Sequence, residues 1–364
     1  MHKVFAINPG STSTKVALLE DDTVIFGRNV SHDAQKLAEF TDLASQQPYR
    51  EQTILDLLET EDVSLEGVDA FICQGGGLFS VVGGVYEIDD LVLEHARTSA
   101  NGVIHPANVG PILCHQFAQE YNAKAFLVNP PDVDELQDLA RLTGIKGVYR
   151  QVHLHALNLK ETARRHALSM GRTYEECNFI VCHIGGGISV SAHCKGRQID
   201  GFDIVGGDGP MSPTRCGSVA VADLLRYAEG KDFAEVLSLT TKSGGFVSHL
   251  GISDSLEVTK RAEAGDKYAA MVWNTLIYQI EKCIGSMAAV LHGQVDGILL
   301  GGGMVHSDDL VRQITETCSF IAPVTAYPGE FEMEAMGAAA SRALTGEEPV
   351  KRYTGEPVWS GFDF

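Results

Sequence analysis

Positive charge is scarce in this chain. Its 364 residues include 28 lysines and arginines against 48 aspartates and glutamates, a formal net charge of −20. General binding of nucleic acid needs a basic surface, and docking on anionic lipid needs basic clusters. The charge balance therefore argues against nucleic-acid and membrane partners and favours a small-molecule partner.

Long apolar runs are also missing. No stretch approaches the roughly 18–20 apolar residues of a membrane span, and the chain enters a predicted strand at Val4 without a charged region followed by a long apolar run, so we expect no signal peptide. The eight cysteines form no Cys-x-x-Cys pair, and most lie in apolar runs. We therefore expect reduced core thiols and a cytoplasmic location.

Glycine is plentiful, and two segments use it in the same way. Residues 5–20 and 180–195 each read as an apolar strand, a turn of tiny residues and a second strand, and an offset of 175 residues places Gly10 on Gly185. A Gly-Ser-Thr turn of this kind bares backbone N–H groups and favours an anion. Two such turns predict two similar domains that face each other across a polyphosphate, as in phosphotransferases of the actin, sugar-kinase and heat-shock-ATPase type.

A second pair of segments repeats as well. Residues 69–77 and 296–303 each read as a buried strand that leads into three glycines. Strands that alternate with helices indicate an α/β fold with a mixed sheet flanked by helices, here twice over. We predict helices over residues 34–46, 50–60, 105–120, 132–143, 155–171, 219–227, 254–264, 267–292 and 331–344.

Six segments in a fixed order carry a resemblance to a known family. They are Asn8-Pro-Gly-Ser-Thr-Ser-Thr-Lys15, His155-Ala-Leu-Asn158, the run from Val181 to Ala192, Gly209-Pro-Met-Ser-Pro-Thr-Arg215, Leu299-Leu-Gly-Gly-Gly303 and Glu332-Met-Glu-Ala335. With them the chain resembles the acetate and butyrate kinase family, most closely its butyrate kinases.

The resemblance implies duplicated ribonuclease-H-like, actin-like ATPase domains with a cleft between them. It also implies ATP/ADP and Mg²⁺ as cosubstrates, a homodimer, and reversible phosphorylation of a short-chain carboxylate, butyrate or a branched relative, to its acyl phosphate. We place an N-terminal domain at residues 1–165, joined by residues 335–364, and a nucleotide-binding domain at residues 166–334.

The family's functional residues carry over to matching positions. Arg215, whose planar fork of donors suits a phosphoryl group, is the catalytic arginine by resemblance. His155 either donates to the transferred group or caps a helix. Asn8 and Ser11 lie near the metal or the transferred phosphate. The remaining expected contacts are Ser13 and Lys15 in the first phosphate loop, His183, Gly185, Gly186 and Gly187 at the phosphates, Gly301, Gly302 and Gly303 at the adenine and ribose, Glu334 at Mg²⁺, and Gln74, Gly75 and Gly76 at the acyl carboxylate.

Two positions depart from the family pattern. Asn129 stands where the family's butyrate kinases have a catalytic, metal-linked aspartate, and an amide lacks the charge that Mg²⁺ prefers. Gln74 stands where relatives have a basic residue that helps to hold the carboxylate. These departures leave open an alternative, a catalytically impaired nucleotide-binding homologue with a regulatory role. A mechanical ATPase of the actin or heat-shock type is a further alternative, which the motifs beyond the phosphate loops disfavour.

Overall fold

The chain folds into two compact units. The computed structural model describes residues 1–362, and one unit combines Met1–Asp134 with the chain from Phe331 onward while the other is Glu135–Glu330. The boundary thus lies near residue 134, about thirty residues before the predicted one at 165. The intervening segment belongs to the second unit because its helix, Ala156–Ser169, packs on strands of that unit's sheet.

The first unit is built on a six-stranded mixed sheet. Its order is β3-β2-β1-β4-β6-β5; β1 runs antiparallel to β2 and parallel to β4, so the three N-terminal strands form a meander beside parallel partners. The strands are β1 (Lys3–Pro9), β2 (Ser13–Glu20), β3 (Thr23–Ser31), β4 (Ala70–Cys73), β5 (Val85–Glu87) and β6 (Lys124–Val128).

Helices cover the sheet of the first unit. The α4 helix packs on β4 and β6, and α13, which comes from the far end of the chain, packs on β1 and β2. The helices are α1 (Ala34–Ala38), α2 (Gln47–Thr60), α3 (Asp90–Thr98), α4 (Val109–Glu120) and α13 (Glu332–Thr345).

The second unit repeats the plan with a five-stranded mixed sheet. Its order, read as β9-β8-β7-β10-β11, matches β3-β2-β1-β4-β6 of the first sheet strand for strand. In both, the central strand is antiparallel to the hairpin partner that follows it and parallel to the later strand on its other side. The predicted duplication is therefore confirmed. The strands are β7 (Asn178–Ile184), β8 (Ile188–Cys194), β9 (Arg197–Gly201), β10 (Gly297–Gly302) and β11 (Val324–Pro328).

Eight helices of the second unit lie among the described residues, and the longest runs behind the sheet. That helix, α11, packs its apolar stripe on β7, β8 and β9. The helices are α5 (Asp138–Arg141), α6 (Ala156–Ser169), α7 (Val221–Ala228), α8 (Phe233–Ser238), α9 (Gly245–Leu250), α10 (Ser255–Glu263), α11 (Lys267–Val290) and α12 (Asp308–Cys318).

Two predicted helices are shorter than the sequence pattern suggests. The segment 132–143 is helical only at α5, because Val133 bridges to Val81 and holds the chain extended after the two prolines. The segment 34–46 breaks after α1, where Asp42 accepts a hydrogen bond from the Ser45 backbone N–H and starts a separate 3-10 turn. The sequence analysis missed α3, α8, α9 and α12.

Each unit has its own core. In the first, Phe5, Phe71 and Phe117 form an aromatic cluster with ring centroids 5.7–6.3 Å apart. In the second, β7 and the inner face of α11 are fully buried together. All eight cysteines are free thiols. Over residues 1–362, no helix is both long and apolar enough to span a bilayer.

Candidate active site

The first glycine-serine hairpin joins β1 to β2 at the carboxyl end of the central strand. Pro9 pairs with Thr14 across the hairpin, and the Gly10 N–H donates to the Ser13 carbonyl oxygen at 2.7 Å. Ser11 is exposed at the tip and Ser13 is half-buried. The turn therefore offers hydroxyls and amides to solvent at the edge where ligands of such sheets bind.

Asn8 and Lys15 converge on one carboxylate. The Asn8 Nδ2 donates to Glu332 Oε2 at 3.1 Å, and the Lys15 Nζ lies 3.3 Å from the same oxygen. Lys15 keeps about half of its side chain exposed while Glu332 keeps a fifth. The structure therefore brings Asn8 and Lys15 together around Glu332.

Glu332 is a site residue that sequence reasoning missed. The Glu-Met-Glu motif has two carboxylates, and Glu334 is the one predicted from the sequence. Positions two residues apart on a helix point to different faces, so one of the pair faces Asn8 and the other does not. The motif therefore contains the contacting carboxylate, but the face of the helix that is turned to β1 is known only once the helix is seen to begin at Glu332. The half-buried Glu334 keeps its metal role as a proposal.

The predicted substrate glycines follow β4. Gly75 has a φ of 74°, which favours glycine, and Gly75 and Gly76 are buried. A Cβ on Gly76 would lie 3.0 Å from Asn108 Oδ1, an oxygen that is buried with no hydrogen-bond partner in the described structure. Gln74, half-buried, brings no charge to this corner. The corner is polar and uncharged at the positions the sequence singled out.

Asn129 holds a loop together. Its Oδ1 accepts from the Gly84 N–H at 2.8 Å, and its own N–H donates to the Gly84 carbonyl oxygen at 3.2 Å. Its φ of 40° is left-handed, a conformation that asparagine adopts more readily than most residues. Asn129 thus connects the end of β6 to the loop at Gly84 through two hydrogen bonds. The sequence did not predict this structural role.

The second hairpin joins β7 to β8 and carries Gly185, Gly186 and Gly187. The Gly185 N–H donates to the Gly187 carbonyl oxygen at 3.1 Å, and Gly186 is exposed at the tip. The buried Ser212 donates from its Oγ to the Gly186 carbonyl oxygen at 2.9 Å. Ser212 thereby ties the hairpin to the turn that carries Arg215.

Arg215 lies directly against this hairpin. A Cβ added to Gly187 would come within 2.0 Å of the Arg215 Nη1, so any side chain there would displace the guanidinium from its place against the hairpin. The Nε and Nη1 atoms of Arg215 are buried and have no hydrogen-bond partner among residues 1–362. Burial lowers the pKa of Arg215, but an arginine stays charged at neutral pH. Two buried donors of one guanidinium that lack acceptors, beside a glycine turn, favour an anion as their partner.

His155 and His183 stack beside Arg215. Their ring centroids are 4.1 Å apart with an interplanar angle of 27°. His155 takes the N-cap position of α6 but makes no side-chain cap; its Nδ1 lies 2.9 Å from Ser189 Oγ instead. Burial, helped by the charges of His183 and Arg215, holds the pKa of His155 well below its usual range. His155 is therefore a neutral hydrogen-bonding group, and helix capping is not its role.

A large cavity lies beside Gly303, the residue that follows β10. Its volume is about 990 Å³, and Gly303 lines it, whereas Gly301 and Gly302 are buried in β10. The Trp273 Nε1 donates to Asp309 Oδ2 at 3.0 Å in its wall. Further lining residues are Asp254, Leu256, Glu263, Met304 and Asp308. Apolar surface beside carboxylate acceptors suits a nucleoside, with its flat base and ribose hydroxyls.

The donor set of the first unit fits Mg²⁺. No cluster of three or more His, Cys, Asp or Glu side chains with metal-site geometry occurs in residues 1–362. Mg²⁺ at phosphoryl-transfer sites commonly takes one or two carboxylates and completes its shell with water and substrate phosphates. Glu332, which accepts from the Asn8 amide, is one such hard oxygen donor, whereas Glu334 lies on another face of the helix.

Comparison with known proteins agrees with this picture. Residues 140–321 match the model of the Acetokinase family. A probable butyrate kinase of Enterococcus faecalis is 40% identical over 356 residues, 97% of this chain and 98% of the relative. Butyrate kinase 2 of Clostridium acetobutylicum is 38% identical over 353 residues, 96% of this chain and 99% of that protein.

Solved structures show the same fold. The acetate kinase of Porphyromonas gingivalis superposes with a TM-score of 0.76 at 20% identity, covering 95% of this chain and 99% of that one. A propionate kinase of Francisella tularensis gives 0.73 at 16% identity, covering 93% and 99%.

The duplicated sheets and the two hairpins define the class of protein by its fold, the α/β actin-like ATPase fold. Within that class, the chain belongs to the acetokinase family. Nothing in these relatives favours the impaired homologue or the mechanical ATPase.

Proposed function

We propose that this chain transfers the γ-phosphoryl group of ATP to the carboxylate of a short-chain acid, butyrate or a branched relative. A carboxylate oxygen forms a bond to the γ-phosphorus, the bond from that phosphorus to the β–γ bridging oxygen breaks, and acyl phosphate and ADP are released. The step is reversible because both products retain a high-energy phosphoryl bond. Two nearly full-length relatives named butyrate kinases support this acceptor class.

One observation carries the proposal. The buried Nε and Nη1 of Arg215 have no acceptor in the described part of the chain and lie against Gly187. The incoming carboxylate is already a nucleophile, so the barrier is the charge on the transferred group and the repulsion between two anions. A desolvated guanidinium acts on that barrier. The neutral His155 donates a hydrogen bond there without adding a fixed charge.

The other contacts divide by unit. In the second unit, Gly185, Gly186 and Gly187 receive phosphate oxygens and the cavity at Gly303 holds the nucleoside. In the first, the turn after β1 contributes Asn8, Ser11, Ser13 and Lys15. The corner of Gln74, Gly75 and Gly76 holds the acyl carboxylate, with apolar surface from Phe79, Val81 and Val82.

Glu332 and Asn8 would hold Mg²⁺, with Glu334 acting on it through water, and the metal would supply charge neutralisation on the phosphate oxygens. Lys15 and Arg215 would add positive charge of their own. We therefore propose that the phosphotransferase activity requires Mg²⁺.

We also propose that the protein forms a homodimer and is located in the cytoplasm. Helices α7 and α8 bury none of their residues within the chain, and Val221 is 71%, Leu225 67% and Phe233 77% exposed. Apolar patches on a soluble surface commonly mark a protein interface. A second copy is the proposed partner of this face, and eight free thiols suit a reducing compartment.

The test is a panel of straight and branched short-chain acids assayed with ATP and Mg²⁺ by acyl hydroxamate formation. Arg215→Met is expected to lower kcat by roughly 100-fold or more, as for loss of one preorganised charge donor. Arg28→Met, which removes an exposed arginine paired with Glu61, serves as the matched control and keeps activity. Gln74→Arg is expected to lower the KM for the carboxylate. No acyl hydroxamate from any acid, or full activity of Arg215→Met, would refute the proposal.

A further inference from the structure

Arg50 occupies a core position on α2. Its relative exposure is 0%, and it shares one face of the helix with the buried Ile54 and Leu58, four and eight residues further on. An arginine in such a place is unusual, because burying a charge is costly unless the charge is paired. Its position therefore calls for a reason other than packing.

The contacts of Arg50 lead to the first hairpin. Its Nη2 donates to the Ser11 carbonyl oxygen at 3.3 Å, and its Nη1 donates to the Ser13 carbonyl oxygen at 3.3 Å and to Thr14 Oγ1 at 3.1 Å. The Nε donates to Gln46 Oε1 at 3.1 Å. All four acceptors are uncharged oxygens, and three of them belong to the hairpin.

The carbonyl side of the hairpin is thus held from within. Ser13 also accepts from the Gly10 N–H, and the Thr12 carbonyl oxygen accepts from the His32 backbone N–H at 2.8 Å. Carbonyl oxygens of three consecutive residues, 11 to 13, are tied to protein donors. An anion needs the N–H side of such a turn, and that side is not taken up by these carbonyl contacts; the Gly10 N–H is the exception, because it donates to Ser13.

Arg50 also places a charge beneath the turn. None of the four acceptors that fix its guanidinium neutralises it, and the low dielectric of the interior leaves its field strong at the hairpin. His32, whose ring Nε2 bonds Thr14 Oγ1 at 2.8 Å, stays neutral beside it, since burial and the Arg50 charge lower its pKa to about 4.

We infer that Arg50 is a positioning residue for phosphate binding: it fixes the carbonyl side of the turn at residues 10–13 and adds a buried positive charge behind its amides. The inference rests on the proposed function only for the identity of the anion, the ATP phosphates. Arg50 itself touches no ligand and acts through the turn.

The experiment compares Arg50→Lys, Arg50→Met and the control Arg28→Met. Two readouts are independent of turnover: the Kd for Mg-ATP by calorimetry, and amide hydrogen exchange in peptides that cover residues 10–13. We expect both Arg50 variants to weaken ATP binding by roughly tenfold or more, as for loss of charge-assisted hydrogen bonds. Lysine keeps the charge but not the fork, so Arg50→Lys binds ATP better than Arg50→Met. Exchange at the turn rises in both.

Each possible result either supports or overturns the positioning role of Arg50. If the folded variants bind ATP as wild type does and the turn exchanges no faster, Arg50 is only a core residue and the inference is overturned. If Arg50→Met does not fold, Arg50→Lys decides alone. If wild type binds ATP in an Arg50-dependent way but makes no acyl phosphate, the proposed function fails while the positioning role is supported. A wild-type protein that binds no ATP overturns both.

Discussion

Ser212 shows how single residues set this site. Its hydroxyl donates to the Gly186 carbonyl oxygen at 2.9 Å, and its backbone N–H donates to the carbonyl oxygen of Arg215 at 3.1 Å. It therefore fixes the distance between the second hairpin and the arginine fork. Pro213 and Thr214 complete the turn, so a change of the Ser212 side chain acts on the Arg215 guanidinium through the hairpin and the turn.

Ser212→Ala removes this link and leaves the turn's backbone bonds in place. We expect kcat to fall by roughly tenfold, because the variant loses the hydrogen bond that aligns the second hairpin with Arg215. Steady-state kinetics with ATP and butyrate measure the loss, and the exposed Ser248 in the same unit, changed to Ala, is the control. An unchanged kcat in the Ser212 variant would show that the hairpin and Arg215 are aligned by other contacts.

Asn129→Asp is expected to lower the Mg²⁺ concentration needed for half-maximal activity. The aspartate keeps the acceptor that the Gly84 N–H uses and adds the charge that Mg²⁺ prefers. A magnesium titration of the initial rate measures the effect, and the Asp variant must retain the wild-type melting temperature. An unchanged magnesium requirement in a stable variant would mean that position 129 lies away from the metal.

His32 makes the free energy of unfolding depend on pH. Burial and the charge of Arg50 lower its pKa to about 4, while the unfolded chain titrates near the ordinary value of 6.5. Between these values the unfolded chain binds a proton and the folded one does not, so stability is complete above pH 6.5 and falls as pH drops toward 4. The loss reaches up to about 3 kcal/mol.

Urea denaturation between pH 7.5 and 4.5 measures this loss against His32→Gln, whose amide also can reach Thr14. Other buried histidines contribute equally to both proteins, so the difference between them isolates His32. A difference that stays constant over the whole range would contradict the assignment.

Single residues also mark the limit of what the sequence predicts. Arg215, His155 and the three glycines at 185–187 stand in motifs, and the structure brings them together. Arg50 and Ser212 act through contacts that no local pattern encodes. Arg50 in particular reads as an ordinary exposed residue of a helix, because its acceptors lie 36 to 39 residues earlier in the chain.

At the scale of elements, strands with strong patterns were predictable and short helices were not. The strands β1, β4, β7 and β10 each contain an unbroken apolar run of three or four residues, since these central strands are buried on both faces. Helices α8 and α9 have six residues each, too few for a 3.6-residue period to show. The segment after Pro131 has an acidic helix-start pattern, but tertiary pairing with Val81 outweighs it.

The C-terminal tail is an element with a testable role. Its Tyr353 hydroxyl accepts from the Phe79 N–H at 2.9 Å and lies 2.9 Å from His95 Nδ1, which joins the tail to the loop after β4. Tyr353→Phe is expected to lower the free energy of unfolding by about 1 kcal/mol, because it leaves the partly buried Phe79 N–H without its acceptor. Urea denaturation measures it, with the exposed Tyr278→Phe as control. Equal stabilities would show that the tail is not held by this hydroxyl.

For the whole molecule, duplication is the property that the sequence reveals most fully. The 175-residue offset between the hairpins predicts two sheets of one plan, and the strand orders agree. Division into units is harder to predict, because residues 135–165 look like the end of the first half yet pack in the second. The identity of 38–40% to butyrate kinases, over nearly the full length of the chain, then indicates that the phosphoryl acceptor is a carboxylate.

The most direct test follows the oxygen atoms. The protein is incubated with Mg-ATP and butyrate labelled with ¹⁸O in its carboxyl group, and the products are followed by ³¹P NMR and mass spectrometry. The account predicts acyl phosphate with ¹⁸O bonded to phosphorus, together with ADP. Inorganic phosphate without acyl phosphate, or acyl adenylate with pyrophosphate, would contradict transfer of the γ-phosphoryl group to a carboxylate oxygen.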